Sequence, residues 1–346
     1  MSSFIGLLLM AIGSACAASF YVPIKKVKNW SWESYWIVQG LFSWILAPWV
    51  FAYFTVPNLL DVLSNSPVSA IFNTIFFGAL WGVGGLTFGL SMRFLGVAMG
   101  QSIALGFCAA FGTLAAPLIE GGNLFATHEG IMILIGVSIC IAGIAIVGYA
   151  GVLRSSSMSE DDRKNAIKEF ALKKGLLIAI LAGVMSACFS LGLTGISGVI
   201  DAGNKVKETA QFYGTDPLFI SNPTYILVMF GGFLTNFFYC MYLNYTNKTF
   251  KDYTSLSTSI LVSNILFCVI GGTLWYLQFF FFGMGQSKLP PGMIVFGWSI
   301  LMAMNILFSN VWGIILKEWK GADSKTISVL VLGLFVLILS TFVIKF

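Results

Sequence analysis

The sequence predicts an all-α polytopic membrane protein of ten transmembrane helices, and three observations carry that expectation. Of 346 residues, 58% are hydrophobic and only 10% charged, with a mean hydropathy of +0.89, whereas a water-soluble domain is about 25% charged. Apolar stretches long enough for the ~20 residues of a helical span recur along the whole chain. The charges avoid those stretches. A soluble enzyme and a disordered chain are excluded, because neither could carry this much apolar surface. A transmembrane β-barrel would show short alternating segments in place of continuous runs.

The first span is expected at 4–24, followed by Lys25, Lys26 and Lys28. No cationic region precedes it, which fits an outward N-terminus better than a cleaved leader. The second, at 34–57, is entered through Glu33, whose place in the first helical turn suits the positive end of the helix dipole. The third and fourth, at 68–92 and 94–119, are separated by Arg93; Gly78 and Gly82, Gly85 and Gly89, and Gly96 and Gly100 are each four apart. Small residues at that spacing let helix backbones approach. The fifth span, at 130–153, follows a connector holding His128, the only histidine. Residues 154–174 then form a charged link, and spans at 175–200, 218–246, 256–282, 291–316 and 326–344 complete the chain. None of the ten contains Asp, Glu, Lys or Arg. All six cysteines fall within them without metal-ligand spacing, as small packing residues do.

Topology follows from the cations, since cytoplasmic loops carry the Lys/Arg excess. Of the 19 Lys and Arg, all but Lys205, Lys207, Lys288 and Lys345 lie in the connectors after spans 1, 3, 5, 7 and 9. Both termini are therefore expected outside, and the net charge of +5 is a topology signal that implies no nucleic-acid partner. The lysines around Lys25 could also meet anionic membrane lipid.

An internal repeat accompanies this pattern. Gly78-x-Leu80-Trp81 with Phe88-Gly89 recurs as Gly272-x-Leu274-Trp275 with Phe282-Gly283, and Ser14-Ala15-Cys16 recurs as Ser186-Ala187-Cys188. Spans 3 and 8 are thus paired, as are spans 1 and 6. Five helices per repeat is an odd number, so the second repeat is expected to enter the membrane upside down. The organisation expected is a first repeat at 1–153, a cytoplasmic link at 154–174 and an inverted repeat at 175–346. Inverted repeats mark secondary transporters, with a substrate site near the midplane. A monomer suffices, since one chain holds both halves.

No catalytic motif or cofactor fingerprint is legible, so no enzyme and no cofactor are expected. Spans without charge favour a neutral cargo, because a charged solute crossing the midplane usually needs a counter-charge. The polar and aromatic groups available are Tyr21, Gln39, Trp81, Gln101, Asn236, Asn264, Trp275, Tyr276, Gln278 and Asn305. An amide offers both donor and acceptor, and an aromatic face can cover the apolar face of a sugar ring, so the set suits a monosaccharide. Trp81 and Trp275 occupy deep, repeat-related positions; Trp30, Trp32, Trp36 and Trp319 read as residues of the cytoplasmic-side aromatic belt.

The run Ser19 to Glu33 (SFYVPIKKVKNWSWE) resembles the first cytoplasmic turn of the L-rhamnose/proton symporters, a family of the drug/metabolite transporter superfamily. Gly271 to Phe281 (GGTLWYLQFFF) resembles their eighth span, and Leu316-Lys317-Glu318-Trp319 the end of their ninth. The resemblance implies ten helices in two inverted repeats in the cell inner (cytoplasmic) membrane. It also implies import of L-rhamnose or a similar sugar in symport with protons by alternating access. Glu33 and Glu318 belong to these motifs and are the coupling candidates, since an acid partly desolvated at a helix end can change protonation. For Glu33, a helix cap or a salt bridge to Lys25 and Lys26 is the competing role. Rival functions are an uncoupled facilitator, a carrier of another neutral metabolite and a membrane receptor.

Overall fold

The structure, a computed structural model, describes residues 2–95, 97–120, 126–157, 172–294, 296–315, 319 and 322–343. In chain order the helices are α1 (Ser2–Ser19), α2 (Tyr21–Ile24), α3 (Trp32–Gly40), α4 (Ala47–Thr55), α5 (Leu59–Asn65), α6 (Val68–Leu95), α7 (Val97–Ile119) and α8 (His128–Ser156). There follow α9 (Leu172–Thr194), α10 (Gly203–Phe212), α11 (Asn222–Asn247), α12 (Thr258–Gln286), α13 (Pro291–Ile294), α14 (Gly297–Ile315) and α15 (Ser324–Val343). No strand occurs among the described residues, so the all-α class holds.

Eight segments are long and apolar enough to cross a membrane: Ser3–Ile24, Trp32–Thr55, Val68–Met92, Gly130–Arg154, Lys173–Thr194, Asn222–Asn247, Thr258–Gln286 and Gly297–Ile315. Each matches one of the expected spans. The expected fourth and tenth correspond to shorter apolar stretches, Ile103–Ile119 and Ser324–Ser340. Some boundaries differ for local reasons. The sixth span stops at Thr194 instead of running to 200, where Gly195 and Gly198 turn the chain with φ of +64° and +69°. The ninth begins with the short α13 before α14, and α5 and α10 are connector helices that hydropathy alone did not reveal.

Two compact units form, each drawing on both halves of the sequence. The first holds Met1–Gly82, Gly192–Gly195 and Ile200–Leu289. In it α1 lies along α12, with Gly6 against Gly285 and Gly13 against Gln278; a Cβ at Gly13 would stand 2.8 Å from the Gln278 carbonyl oxygen. The first part of α6 crosses α11 more tightly still. A Cβ at Gly78 would collide with the Val228 carbonyl, and one at Gly231 with that of Ile75. Gly82 likewise meets Gly232 and Thr235. This backbone approach is what small residues at fourfold spacing permit in an apolar solvent, where packing replaces the hydrophobic drive. Ala52, Val56, Leu59, Val62, Ala210 and Ile226 form one apolar cluster that seats α5 and α10.

The second unit holds Val83–Leu191, Ile196–Val199 and Pro290–Phe346. Here α8 packs along α15 through Gly143 against Leu337 and Gly333 against Val147, while α7 meets α9 at Gly183 and α14 at Gly112. The Thr113 and Ser299 hydroxyls share a 2.7 Å hydrogen bond that satisfies both in the interior. Gly85 and Gly89 depart from the packing expected of them. Nothing stands within 4 Å of where their Cβ atoms would be.

Candidate functional site

The expected second span is not one regular helix. Between α3 and α4, residues Leu41–Leu46 form a π-helical segment, in which the Ala47 N–H reaches five residues back to the Phe42 carbonyl. Pro48 supplies a local cause: it has no N–H to donate, and in a regular helix its ring would strike the carbonyl of Trp44, four residues earlier. Insertions of this kind sit disproportionately at functional sites. The widened turn lays the Trp44 indole against Gly40, where a Cβ would be 2.6 Å from its Cζ3.

Trp44 is the centre of an aromatic cluster inside the first unit. Its ring centroid lies 6.1 Å from that of Trp81 and 5.8 Å from that of Trp275, both edge-on, and Trp81 and Trp275 are 5.7 Å apart. Trp36 approaches Trp44 at 5.8 Å and stacks on Trp32 at 5.3 Å. Edge-to-face pairs of this kind contribute about 0.5–1.5 kcal/mol each beyond burial. The repeat-related pair Trp81 and Trp275 is therefore brought together. Trp36, expected in the aromatic belt, is also a member of this cluster, and its Nε1 donates to Asn236 Oδ1 at 3.0 Å.

The amides around the cluster are buried. Asn236 also donates from Nδ2 to the Gly232 carbonyl at 2.9 Å, completing a neutral bridge from α11 to α3. Gln39, only 1% exposed, donates from Nε2 to the Ser43 hydroxyl at 3.4 Å, while its Oε1 has no partner. Trp44 Nε1 and the Tyr276 hydroxyl are likewise buried without a partner. Tyr276 packs on Phe51 at 5.3 Å, and Gln278, two residues on in α12, is buried where that helix meets α1 at Gly13. The cluster combines aromatic faces and amide groups and holds no formal charge, chemistry that suits a hydroxylated ring better than an ion.

Other expected site residues lie elsewhere. Asn264 clamps the loop after α2: its Oδ1 accepts from the Lys28 N–H at 2.9 Å and its Nδ2 donates to the Lys28 carbonyl at 2.8 Å. Asn305 sits half-buried on α14, in the second unit. Tyr21 falls on α2 and Gln101 on α7. Glu318 lies outside the described residues. An apolar cavity of about 380 Å³ between α7 and α8, lined by Ile103, Phe107, Ile144 and Val152 among others, presents almost no hydrogen-bonding groups.

A polar network sits at one end of the first unit. Glu33, 4% exposed, is in the first turn of α3, and its Oε1 accepts from Asn247 Nδ2 at 3.0 Å and Thr249 Oγ1 at 2.9 Å. Of the competing roles, the first-turn position is there, but an amide and a hydroxyl hold the carboxylate in place of Lys25 and Lys26. Thr249 also reaches Asn244 Oδ1, which accepts from Ser34 Oγ at 3.2 Å, and Ser34 Oγ in turn lies 2.9 Å from Asp252 Oδ2. The same Asp252 oxygen accepts the Ser31 N–H at 2.8 Å and its hydroxyl. Asp252 thus places an anion at the α3 N-terminus from a distant connector, which frees Ser31 from capping its own helix. In the sequence Asp252 stands out only as a charge outside the spans.

Burial pushes the Asp252 carboxyl up, but the hydrogen bonds from Ser31 and Ser34, with help from Lys251, outweigh it and hold the pKa below its ordinary value. A carboxyl with a depressed folded-state pKa contributes stability above its unfolded value of about 3.9, and loses it as pH falls through the folded value. Thermal unfolding in detergent should therefore show a midpoint that drops below about pH 4. Asp252→Asn should be less stable at neutral pH and flatter across that acid window.

Comparison with known proteins decides the family. All of residues 1–346 match the L-rhamnose-proton symport protein (RhaT) family. The L-rhamnose-proton symporter of Yersinia pestis (strain Pestoides F) is 37% identical over 340 residues, covering 97% of this chain and 95% of that protein. That of Mannheimia succiniciproducens is 37% identical over 343 residues, covering 98% and 96%. The chain belongs to the L-rhamnose-proton symport protein family. Membership makes it a symporter-family transporter and not an enzyme, in keeping with its apolar helices and the uncharged cluster around Trp44. It is a multi-pass membrane protein of the RhaT family.

Proposed function

We propose that this chain imports L-rhamnose together with protons across the cell inner membrane by alternating access. The observation that carries the reading is the chain-long identity to relatives named L-rhamnose-proton symporter, and a neutral aromatic and amide cluster supports it. Trp81 and Trp275 cover the apolar face of the sugar, while Gln39, Asn236, Tyr276 and Gln278 meet or position its hydroxyls. Glu33 is the coupling group, with Glu318 a second candidate. Its burial and its hydroxyl and amide partners let it exist neutral or charged without stranding a cation.

In this reading all ten apolar helices cross the membrane with both termini outside. Residues 1–153 and 175–346 are the inverted repeats and 154–174 the cytoplasmic link. Support comes from the cation distribution, the Trp81 and Trp275 repeat, and the occurrence of an apolar helix at each expected position.

Proteoliposomes reconstituted with the protein and given labelled L-rhamnose test the function. Accumulation above the external concentration is expected only under an inwardly directed proton gradient. Uptake that merely equilibrates, and does so equally with and without the gradient, would make the protein a facilitator. Absence of rhamnose uptake alongside transport of another neutral solute would overturn the substrate.

A further inference from the structure

The deeply buried polar atoms without partners in the first unit include three around the interrupted second span. Trp44, 3% exposed, keeps an indole N–H with no acceptor; Gln39, 1% exposed, keeps a side-chain carbonyl with no donor; Tyr276, fully buried, keeps a free hydroxyl. Leaving such groups unmade costs more than a made bond returns, so native interiors rarely tolerate them without a further role. Trp44 and Gln39 are linked through the π-helical segment itself. The Gln39 amide reaches the hydroxyl of Ser43, the residue before Trp44, and α12 presses on the backbone of the same turn at Gly272, opposite the main-chain carbonyl of Gln39 and the main-chain nitrogen of Ser43. A donor and an acceptor thus lie five residues apart on one interrupted helix. That is the pairing two hydroxyls of a sugar ring require.

Resting on the rhamnose reading above, we infer that the segment Leu41–Leu46 is the specificity element of the sugar site. Trp44 Nε1 donates to one ring hydroxyl, and Gln39 Oε1 accepts from another. The ring faces of Trp81 and Trp275 supply contact indifferent to hydroxyl arrangement, whereas this donor and acceptor distinguish one arrangement from another. A neutral polar site rejects an analogue that leaves its buried groups unpaired, which is the mechanism of discrimination here.

The test is L-rhamnose binding to the purified full-length protein by titration calorimetry, with Trp44→Phe and Gln39→Met alongside. Phe keeps an aromatic ring at the position and removes the N–H. Affinity should weaken by about three- to tenfold in Trp44→Phe, the range of one neutral hydrogen bond. The unfolding temperature of the sugar-free Trp44→Phe protein should fall, because the smaller ring leaves part of the indole's place among Trp36, Trp81 and Trp275 unfilled, whereas Gln39→Met, close in volume, should hold it. Gln39→Met should weaken binding similarly. A panel of monodeoxy rhamnoses should contain one member that binds wild type and Trp44→Phe equally, identifying the hydroxyl concerned. Unchanged affinity in both variants while wild type binds rhamnose would overturn the inference and leave the function standing. A drop in unfolding temperature with unchanged affinity would mean that Trp44 is packing alone. Should Trp44→Phe not fold, Gln39→Met and the deoxy panel on wild type decide between these outcomes by the same criteria. If wild type binds no rhamnose, the functional reading falls and the inference with it.

Discussion

Alanine at Gly231 or at Gly78 should cost more stability than any other single methyl added to the first unit. The new Cβ would meet the Ile75 or the Val228 carbonyl, main-chain atoms that cannot swing aside as a side-chain tip can. Overpacking typically costs about 1–3 kcal/mol, and a backbone obstacle on both crossing helices puts these variants at or above the upper end. The expected result is a lowered unfolding temperature in detergent and a reduced yield of monodisperse protein. Gly85→Ala on the same helix is the control: nothing lies within 4 Å of its Cβ, and alanine is about 1 kcal/mol the better helix former. Its unfolding temperature should hold or rise. Equal behaviour of Gly85→Ala and Gly231→Ala would show that the crossing of α6 and α11 is looser than described.

Glutamine at position 33 should uncouple transport while leaving the protein folded. Its side-chain oxygen can still accept from Asn247 and Thr249, so the geometry that holds Glu33 survives, but the group can no longer take up and release a proton. Rhamnose-driven alkalinisation of the medium should disappear, and gradient-driven accumulation should fall to equilibrium. Counterflow of labelled against unlabelled rhamnose needs no net proton movement and should persist. Normal alkalinisation in Glu33→Gln would remove Glu33 from the coupling role and leave it as a residue that fixes the start of α3.

Much of the fold was legible because membrane helices write themselves in hydropathy and in the placement of charge. The starts of α6, α8 and α12 follow from where the apolar runs begin, and the crossing of α6 with α11 from glycine spacing at Gly78 and Gly82. Hydropathy was blind to what lies inside a span. The π-helical segment leaves the mean hydropathy of Trp32–Thr55 untouched, and only Pro48 hinted that the helix could not continue regularly. Trp44 was passed over because no repeat partner marked it, and Trp36 because its place near a span end suggested a belt. Gln39, Asn236, Trp81, Trp275 and Tyr276 were legible as residue types and came together in one unit. Asn264 was not, since only the folded path of the loop at Lys28 shows that both ends of its amide are occupied there. Asp252 was invisible for the same reason: its role depends on Ser31 and Ser34, more than two hundred residues away in sequence.

The chain of indoles from Trp32 through Trp36 and Trp44 to Trp81 and Trp275 has one more consequence. Five of the ten tryptophans form a continuous path of near neighbours. Light absorbed by any of them can migrate among the rest before it is emitted, so the ultraviolet emission of this protein is a collective signal. A disturbance at any single ring along the path, whether a bound solute or a shift of one helix, should register in the spectrum and anisotropy of the whole without an attached dye.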